Sequence, residues 1–357
     1  MSEARVSGGT TAQPIEPDTL PPVVGVDLGG TQLRVAVMRG ARLLSRVGLL
    51  TGEDPTPERI MPRIYEAIQL AVSEAGTTLA QIAGIGLGAP GPLDHHTGVI
   101  YSPPNLPGWT RVPVRDMLLE HFKTRVFVEN DADCAALGEH MFGAGRGAKN
   151  MVYMTISTGI GGGIILNGKI LEGASGTAGE LGHMTIDWHG ERCNCGNIGC
   201  LERIASGTAI ARRANEVIAA GHGNELLAFA RSLHTEAARP LALITGDRTT
   251  QEDVYTVTAR TVSEAAKAGI PLAREIIARA AEGLGAGLVN IIHIFNPEVI
   301  ILGGGVTQMG AQLLYPALHI VHERAMRVPQ DSVRIALAEL GANVGLVGAG
   351  ALIYYHG

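Results

Sequence analysis

From residue 23 onward, short apolar runs alternate with stretches of helical periodicity, the pattern of an α/β protein. The mainly apolar runs 23–27 and 33–38 flank Leu28–Gly29–Gly30–Thr31, so the chain runs strand, glycine turn, strand. A helix is expected to open at Thr56–Pro57, with Thr as cap and Pro in the first turn. It presents Ile60, Ile64, Ile68 and Val72 on one face until Gly76 stops it. Residues 82–87 read as a strand and Gly88–Ala89–Pro90–Gly91–Pro92 as a loop. The strand over 126–129 runs straight into Asn130–Asp131, ahead of a helix over 132–142 that Gly143 ends. Asn130 and Asp131 thus fall at the carboxyl end of a strand, where open α/β sheets bind ligands. Farther on, the pattern predicts helices over about residues 206–220 and 271–295, the second closed by Asn296–Pro297. A buried strand over 299–302 then feeds Gly303–Gly304–Gly305, whereas residues 221–254 carry no legible pattern.

A weak internal repeat underlies this order. At an ungapped offset of 128, Val24 aligns with Val152, Gly30 with Thr158, Val37 with Ile165, Gly40 with Gly168 and Leu43 with Leu171. A duplicated α/β lobe with a cleft between the copies explains it; two unrelated β-meanders are the alternative.

Composition narrows the function. Lys+Arg total 28 against 34 Asp+Glu, a net charge of −6, and charged residues make up 17 %, which gives a broad nucleic-acid surface no support. No apolar stretch reaches the roughly 18–20 residues of a membrane span. The richest candidate, residues 284–295, is interrupted by Asn290 and His293. Residues 1–22 lack an apolar signal core and read as a floppy tail, so a cytoplasmic location is expected. Glycine, at 48 positions, is the outlier, and its clusters direct attention to three turns.

Those turns are Gly29–Gly30–Thr31, Thr158–Gly159–Ile160–Gly161–Gly162–Gly163 and Gly303–Gly304–Gly305. Backbone without Cβ atoms lets N–H groups approach an anion, and Thr31 and Thr158 add hydroxyls suited to phosphate oxygens. Asp27, just before the first turn, could hold Mg²⁺ or its bound water near those phosphates. No run matches G-x-x-x-x-G-K-[ST], and the turn after Asp27 leads into a strand, so Walker and dinucleotide-binding loops are both rejected. Asp131 is the candidate general base for an attacking hydroxyl. Helix capping by Asn130 or Asp131 is the plainer role, and both hold if one caps while the other reacts. Cys134 reads as a buried small side chain.

Cys193, Cys195 and Cys200 lie within eight residues, in a loop with Gly196 and Gly199. Three thiolates and one imidazole make a closed tetrahedral Zn²⁺ site, structural by ligand count, with His183 or His189 as the fourth ligand. Glu180 and Glu202 flank this loop and could accept hydrogen bonds from a polyhydroxylated ligand.

These residues together resemble the ROK family (repressors, open reading frames and sugar kinases) from about residue 23 to 352. The matching runs are Asp27–Leu28–Gly29–Gly30–Thr31, Gly88 to Pro92, Val128–Glu129–Asn130–Asp131–Ala132, Thr158 to Gly163, Gly179–Glu180–Leu181–Gly182–His183, Cys193 to Glu202, Asn296–Pro297–Glu298 and Gly303–Gly304–Gly305. The resemblance implies a two-lobed actin/hexokinase-like (ribonuclease H-like) fold that transfers the ATP γ-phosphate to a sugar hydroxyl. The lobes would span residues 23–129 and 130–343, the second holding the zinc loop 183–202, and a helix over about 344–357 would pack back on the first. Carried over by position, Asp131 resembles the catalytic base, and Asn105, Asn130, Asp131, Glu180, His183 and Glu202 the sugar-binding set. His183, Cys193, Cys195 and Cys200 then hold Zn²⁺. Asp27, Gly29, Gly30, Thr31, Thr158, Gly159, Gly304 and Gly305 fall on the ATP and Mg²⁺ side. Glucokinase is the foremost activity implied, and N-acylmannosamine and broad-specificity hexose kinases share the same sugar set. The family's repressors carry a helix-turn-helix domain ahead of this body, for which about 22 residues are far too few. A homodimer, or a tetramer, is expected. Gln32, Ser157 and Ile270 depart from the family pattern, Gln32 by leaving no cation after the first turn.

Overall fold

Every residue of β1 (Val23–Leu28) is buried, which sets this strand inside a mixed sheet and not at its edge. The computed structural model describes residues 19–52, 54–103, 105–235 and 257–357, so the expected tail up to residue 18 and the unpatterned stretch from residue 236 to 254 lie outside it. Strand β1 pairs antiparallel with β2 (Gln32–Arg39), which carries β3 (Arg42–Leu43) and β4 (Val47–Leu50). Helix α1 (Pro57–Glu74) covers this sheet with Ile60, Ile64, Ile68 and Val72, all buried as their spacing predicts. Thr56 holds the expected cap position, but its hydroxyl makes no capping hydrogen bond.

Strand β5 (Ile85–Ala89) joins parallel to β1, starting later than expected because Leu79–Gln81 form a short 3₁₀ turn and Gly88 and Ala89 pair with the next strand. A small sheet of β6 (Leu93–Asp94), β7 (Val99–Ile100) and β8 (Val112–Pro113), then helix α2 (Val114–Phe122), lead to β9 (Val126–Asn130) and helix α3 (Asp131–Phe142).

The second half repeats the plan with β10 (Met151–Ile156), β11 (Ile160–Leu166) and β12 (Lys169–Ile170). Helices α4 (Glu202–Ala205), α5 (Gly207–Ala219), α6 (Asn224–Thr235), α7 (Ala259–Lys267) and α8 (Pro271–Phe295) precede β13 (Val299–Gly303). Helices α9 (Ala311–Arg324) and α10 (Arg327–Ser332), strand β14 (Arg334–Leu337) and helix α11 (Val344–Tyr355) complete the chain. The sheet orders β3-β2-β1-β5-β9 and β12-β11-β10-β13-β14 correspond strand for strand. In each, two antiparallel pairings are followed by two parallel ones. The repeat seen in the sequence is thus a duplication of structure, with one correction. Val24 faces Val37, but Val152 faces Ile164 and not Ile165, because the turn between Ile156 and Ile160 is one residue shorter than that between Leu28 and Leu33.

Helix α11 lies on β1, β5 and α3, at contact distances that only glycine permits. A Cβ on Gly86 would stand 1.8 Å from the Ala349 carbonyl oxygen in α11. Gly86→Ala must push the helix off the sheet, and is expected to cost about 3 kcal/mol. A denaturation midpoint unchanged from wild type would contradict that packing. Among the described residues no helix is long and apolar enough to cross a membrane.

Candidate active site

Parallel strands β1, β5 and β9 end on one edge. Asp27 is in register with Gly88, and Gly88 with Glu129, so Asp27 and the Asn130–Asp131 pair are delivered to the same place. The two roles open for that pair separate here. Asn130 Oδ1 accepts a hydrogen bond from the Ala132 N–H at 2.9 Å and caps α3, which leaves Asp131 as the first residue of the helix with no capping duty. Asp131 lines a polar cavity of about 240 Å³ together with Asn130, Asp133, Glu180, Gly161 and Gly162. Solvent reaches Asp131 from this cavity. The protein around the carboxyl nonetheless strips away enough hydration, aided by the negative charges of Asp27 and Glu180, to lift its pKa to about 6.

Asp133, two residues on, escaped the sequence reading; its only sign there is a third acid in Glu129–Asn130–Asp131–Ala132–Asp133. It is buried, and its Oδ1 has no hydrogen-bond partner. Burial first, then the charges of Glu129 and Asp131, push its pKa up to about 8. A carboxyl whose pKa is raised by folding favours the native state least when ionised, so this group lowers stability progressively as pH climbs from about 4 to 8. Asp133→Asn is therefore expected to stabilise the fold by about 4 kcal/mol at pH 8 and by almost nothing at pH 4. Thermal midpoints of the two proteins at both pH values test this; equal gains at pH 4 and 8 would rule out buried charge as the cause.

The remaining residues of the expected sugar set are distributed differently. Glu180 lies in the cavity wall, 3.8 Å from His183 Nε2. Glu202 is drawn to the turn between β10 and β11, its Oε2 accepting the Ile160 N–H at 2.9 Å. Gly159 makes room for that carboxylate, since a Cβ there would lie 2.5 Å from Oε2. Asn105 presses on Gly30, where a Cβ would come within 2.7 Å of its own Cβ. Asn105, His183 and Glu202 stand outside the wall of the cavity that unites Asn130, Asp131 and Glu180.

On the expected phosphate side, the Gly29–Gly30–Thr31 turn is held from behind by Thr51. The Thr51 hydroxyl donates to the Gly29 carbonyl and its N–H to the Thr31 carbonyl, both at 2.8 Å. Asp27 uses one carboxylate oxygen in an ion pair with Arg34 at 2.8 Å, so a cation does stand beside this turn although Gln32 supplies none. Thr158 and Gly305 line a second, larger cavity of about 750 Å³. Gly159 and Gly304 lie behind its wall, and Gly304, with φ +87° and no room for a Cβ beside the Ile156 carbonyl, lets the chain turn there. Ser157, Gly207, Thr208 and the face of α7 from Thr258 to Lys267 complete this cavity and were not foreseen. Gly207–Thr208 at the start of α5 carried a recognisable signal, a polar helix N-terminus. Helix α7 carried none.

His183 Nδ1 or Nε2 and the Sγ atoms of Cys193, Cys195 and Cys200 all lie within 4.8 Å of one another. Cys193 Sγ is 3.7 Å from His183 Nδ1, and Cys195 Sγ is 3.7 Å from Cys200 Sγ. That spacing is far too long for a disulfide and close to the ~3.8 Å edge of a tetrahedron with ~2.3 Å metal–sulfur bonds. His189 is exposed and takes no part. Glu191 anchors the loop to Arg203 at 2.9 Å and to Arg212.

Residues 23–355 match the ROK family. The glucokinase of Halalkalibacterium halodurans is 38 % identical over 332 residues, 92 % of this chain and 94 % of that protein. The crystal structure of a ROK hexokinase from Thermus thermophilus superposes with a TM-score of 0.75 at 36 % identity, covering 94 % of this chain and 98 % of that one. A ROK family glucokinase from Streptomyces griseus, solved in complex with glucose and AMPPNP, gives a TM-score of 0.73 at 32 % identity, covering 93 % and 98 %. The duplicated sheets form a two-lobed actin/hexokinase-like fold, and the chain belongs to the ROK family.

Proposed function

We propose that this protein is an ATP-dependent glucokinase in which Asp131 accepts the proton of the sugar 6-hydroxyl as that oxygen attacks the γ-phosphorus. The observation that carries the reading is the carboxylate of Asp131, its pKa raised to about 6, in a polar cavity of about 240 Å³. The glycine turn after β10 separates that cavity from a larger one of about 750 Å³, lined by hydroxyls and glycine, that suits a nucleotide. Phosphoryl transfer needs positioning and charge neutralisation more than covalent chemistry, and the parts divide accordingly. Asn130, Glu180 and, across the Ile160 turn, Glu202 would hold sugar hydroxyls, with Asn105 and His183 at the margin. Gly29, Gly30, Thr31, Thr158, Gly159, Gly304 and Gly305 would face the phosphates and nucleotide. Mg²⁺, when bound with ATP, neutralises the polyphosphate; Asp27 is the carboxylate suited to face it through one oxygen, the other being paired with Arg34.

Three thiols and one imidazole at these spacings fit structural Zn²⁺, with His183, Cys193, Cys195 and Cys200 as ligands. The lobes are taken as residues 23–129 with the final helix and 130–343. A homodimer belongs to the same proposal: Ile294 on α8, Tyr315 on α9, Met326 between α9 and α10 and Val328 on α10 are exposed apolar side chains it could cover.

The deciding experiment is an ATP-coupled assay across glucose, mannose, fructose, N-acetylglucosamine and N-acetylmannosamine. The highest kcat/KM on glucose is expected. Preference for an N-acylated sugar would overturn the substrate, and no turnover on any of them would overturn the activity.

A further inference from the structure

Away from the cysteine loop, one other group of potential metal donors occurs among the described residues: His95, His96 and Glu172, whose donor atoms lie within 4.8 Å of one another. The two histidines stand in the turn between β6 and β7, and Glu172 follows β12, so the group joins the two halves of the chain. The histidine turn is rigidly made. Asp94 Oδ1 accepts the N–H groups of His96 and Thr97 at 2.9 and 3.2 Å, its Oδ2 accepts the Thr97 hydroxyl at 2.8 Å, and Arg115 holds the His96 carbonyl. The imidazoles are tilted by 51° to each other, with centroids 4.0 Å apart.

The contact between His95 and Glu172 has the length of a hydrogen bond without being one. His95 Nε2 lies 3.0 Å from Glu172 Oε2, yet the nitrogen is sealed from solvent and forms no hydrogen bond. Two donors that approach this closely while missing each other's bonding direction are arranged as two ligands converging on a third atom. A separation of 3.0 Å matches the ~2.9 Å edge between neighbouring ligands of an ion bound octahedrally at ~2.0–2.1 Å.

We propose that His95, His96 and Glu172 form a second divalent-cation site, of the borderline kind that imidazole and carboxylate favour together, such as Ni²⁺, Co²⁺ or Zn²⁺. Three protein ligands with the rest of the shell left to water make it weaker than the four-ligand cysteine site. Its place gives it a consequence. The segment after Glu172 runs through Gly176 to Glu180, the wall of the cavity that holds Asp131, and Gly176 already lies against the His95 ring, where a Cβ would be 3.2 Å from Nδ1. A bound ion would pin that wall to the opposite half of the molecule.

The test is titration of Ni²⁺ into full-length protein already carrying its cysteine-loop metal, followed by calorimetry. Wild type is expected to take up one Ni²⁺ per chain, and His96→Ala and Glu172→Gln each to weaken that uptake at least about tenfold. His96 is exposed, so its variant should fold; equal thermal midpoints without Ni²⁺ confirm that the comparison is fair. A wild-type protein that binds no Ni²⁺, or a His95→Ala/His96→Ala double variant that binds it as wild type does, would leave these residues as an interlobe ion pair and overturn the site.

Discussion

Asp131→Asn is expected to keep the fold and sugar binding while lowering kcat by about 10²–10⁴. Asparagine preserves the size of the side chain and its place in the first turn of α3, and because Asn130 caps that helix, no capping bond is lost. What disappears is the function proposed for the carboxylate, acceptance of the hydroxyl proton. A loss in that range corresponds to about 3–5 kcal/mol of transition-state stabilisation. The pH dependence gives an independent reading of the same group. The base works ionised, so wild-type kcat/KM should fall about tenfold per pH unit below pH 6 and level off above it, following the carboxyl raised to about 6. The midpoint of that limb lies well above an ordinary aspartate because burial, Asp27 and Glu180 all oppose its charge. Near-normal kcat in the variant, or a flat profile between pH 5 and 7, would remove Asp131 from the chemistry.

Asp131 was legible in the sequence because its position follows from chain order alone. A strand that runs without a loop into a helix puts the junction at the sheet's carboxyl edge, and the dipole and cap chemistry of that junction are local. The cysteine loop was legible for the same reason, its three thiols being close along the chain. Which histidine completes it was not local. His183 and His189 are both near in sequence, and only the path of the loop, fixed in part by Glu191 on Arg203 and Arg212, brings His183 to the thiols. Other features needed contacts across the fold. The one-residue slip between the two halves depends on the length of a turn, invisible to an ungapped comparison. The raised pKa of Asp133 arises from burial and from acids brought near it by the fold, and the wall that α7 gives the larger cavity comes from a helix about a hundred residues beyond Thr158 along the chain. Glu202 was expected beside the cysteine loop as an acceptor for ligand hydroxyls, but its partner, the Ile160 N–H some forty residues upstream, was not legible.

Cys195→Ser is expected to release the loop metal and, with it, to lower the thermal midpoint and reduce kcat/KM for sugar at least about tenfold. Cys195 is the informative choice because it is the exposed thiol of the three, while Cys193 and Cys200 are buried, so its replacement opens no void in the core. Serine keeps the size but is a poor ligand, and three remaining donors do not close a tetrahedral site. The effect should reach the sugar because the ion would hold both ends of one device. Glu180 stands three residues before His183, with its carboxylate 3.8 Å from that ring, and Glu202 two residues after Cys200, bonded to the turn that bears Gly159. With the loop freed, both carboxylates lose their fixed positions, and the loss should appear mainly in KM for sugar, while KM for ATP, proposed to bind beyond Thr158 in the larger cavity, changes little. Metal analysis after gel filtration without added metal should find one zinc per wild-type chain and none in the variant. A wild-type chain without zinc would reduce the cluster to free thiols, and equal loss of sugar and ATP affinity would mean that the loop supports the fold at large and not the sugar site.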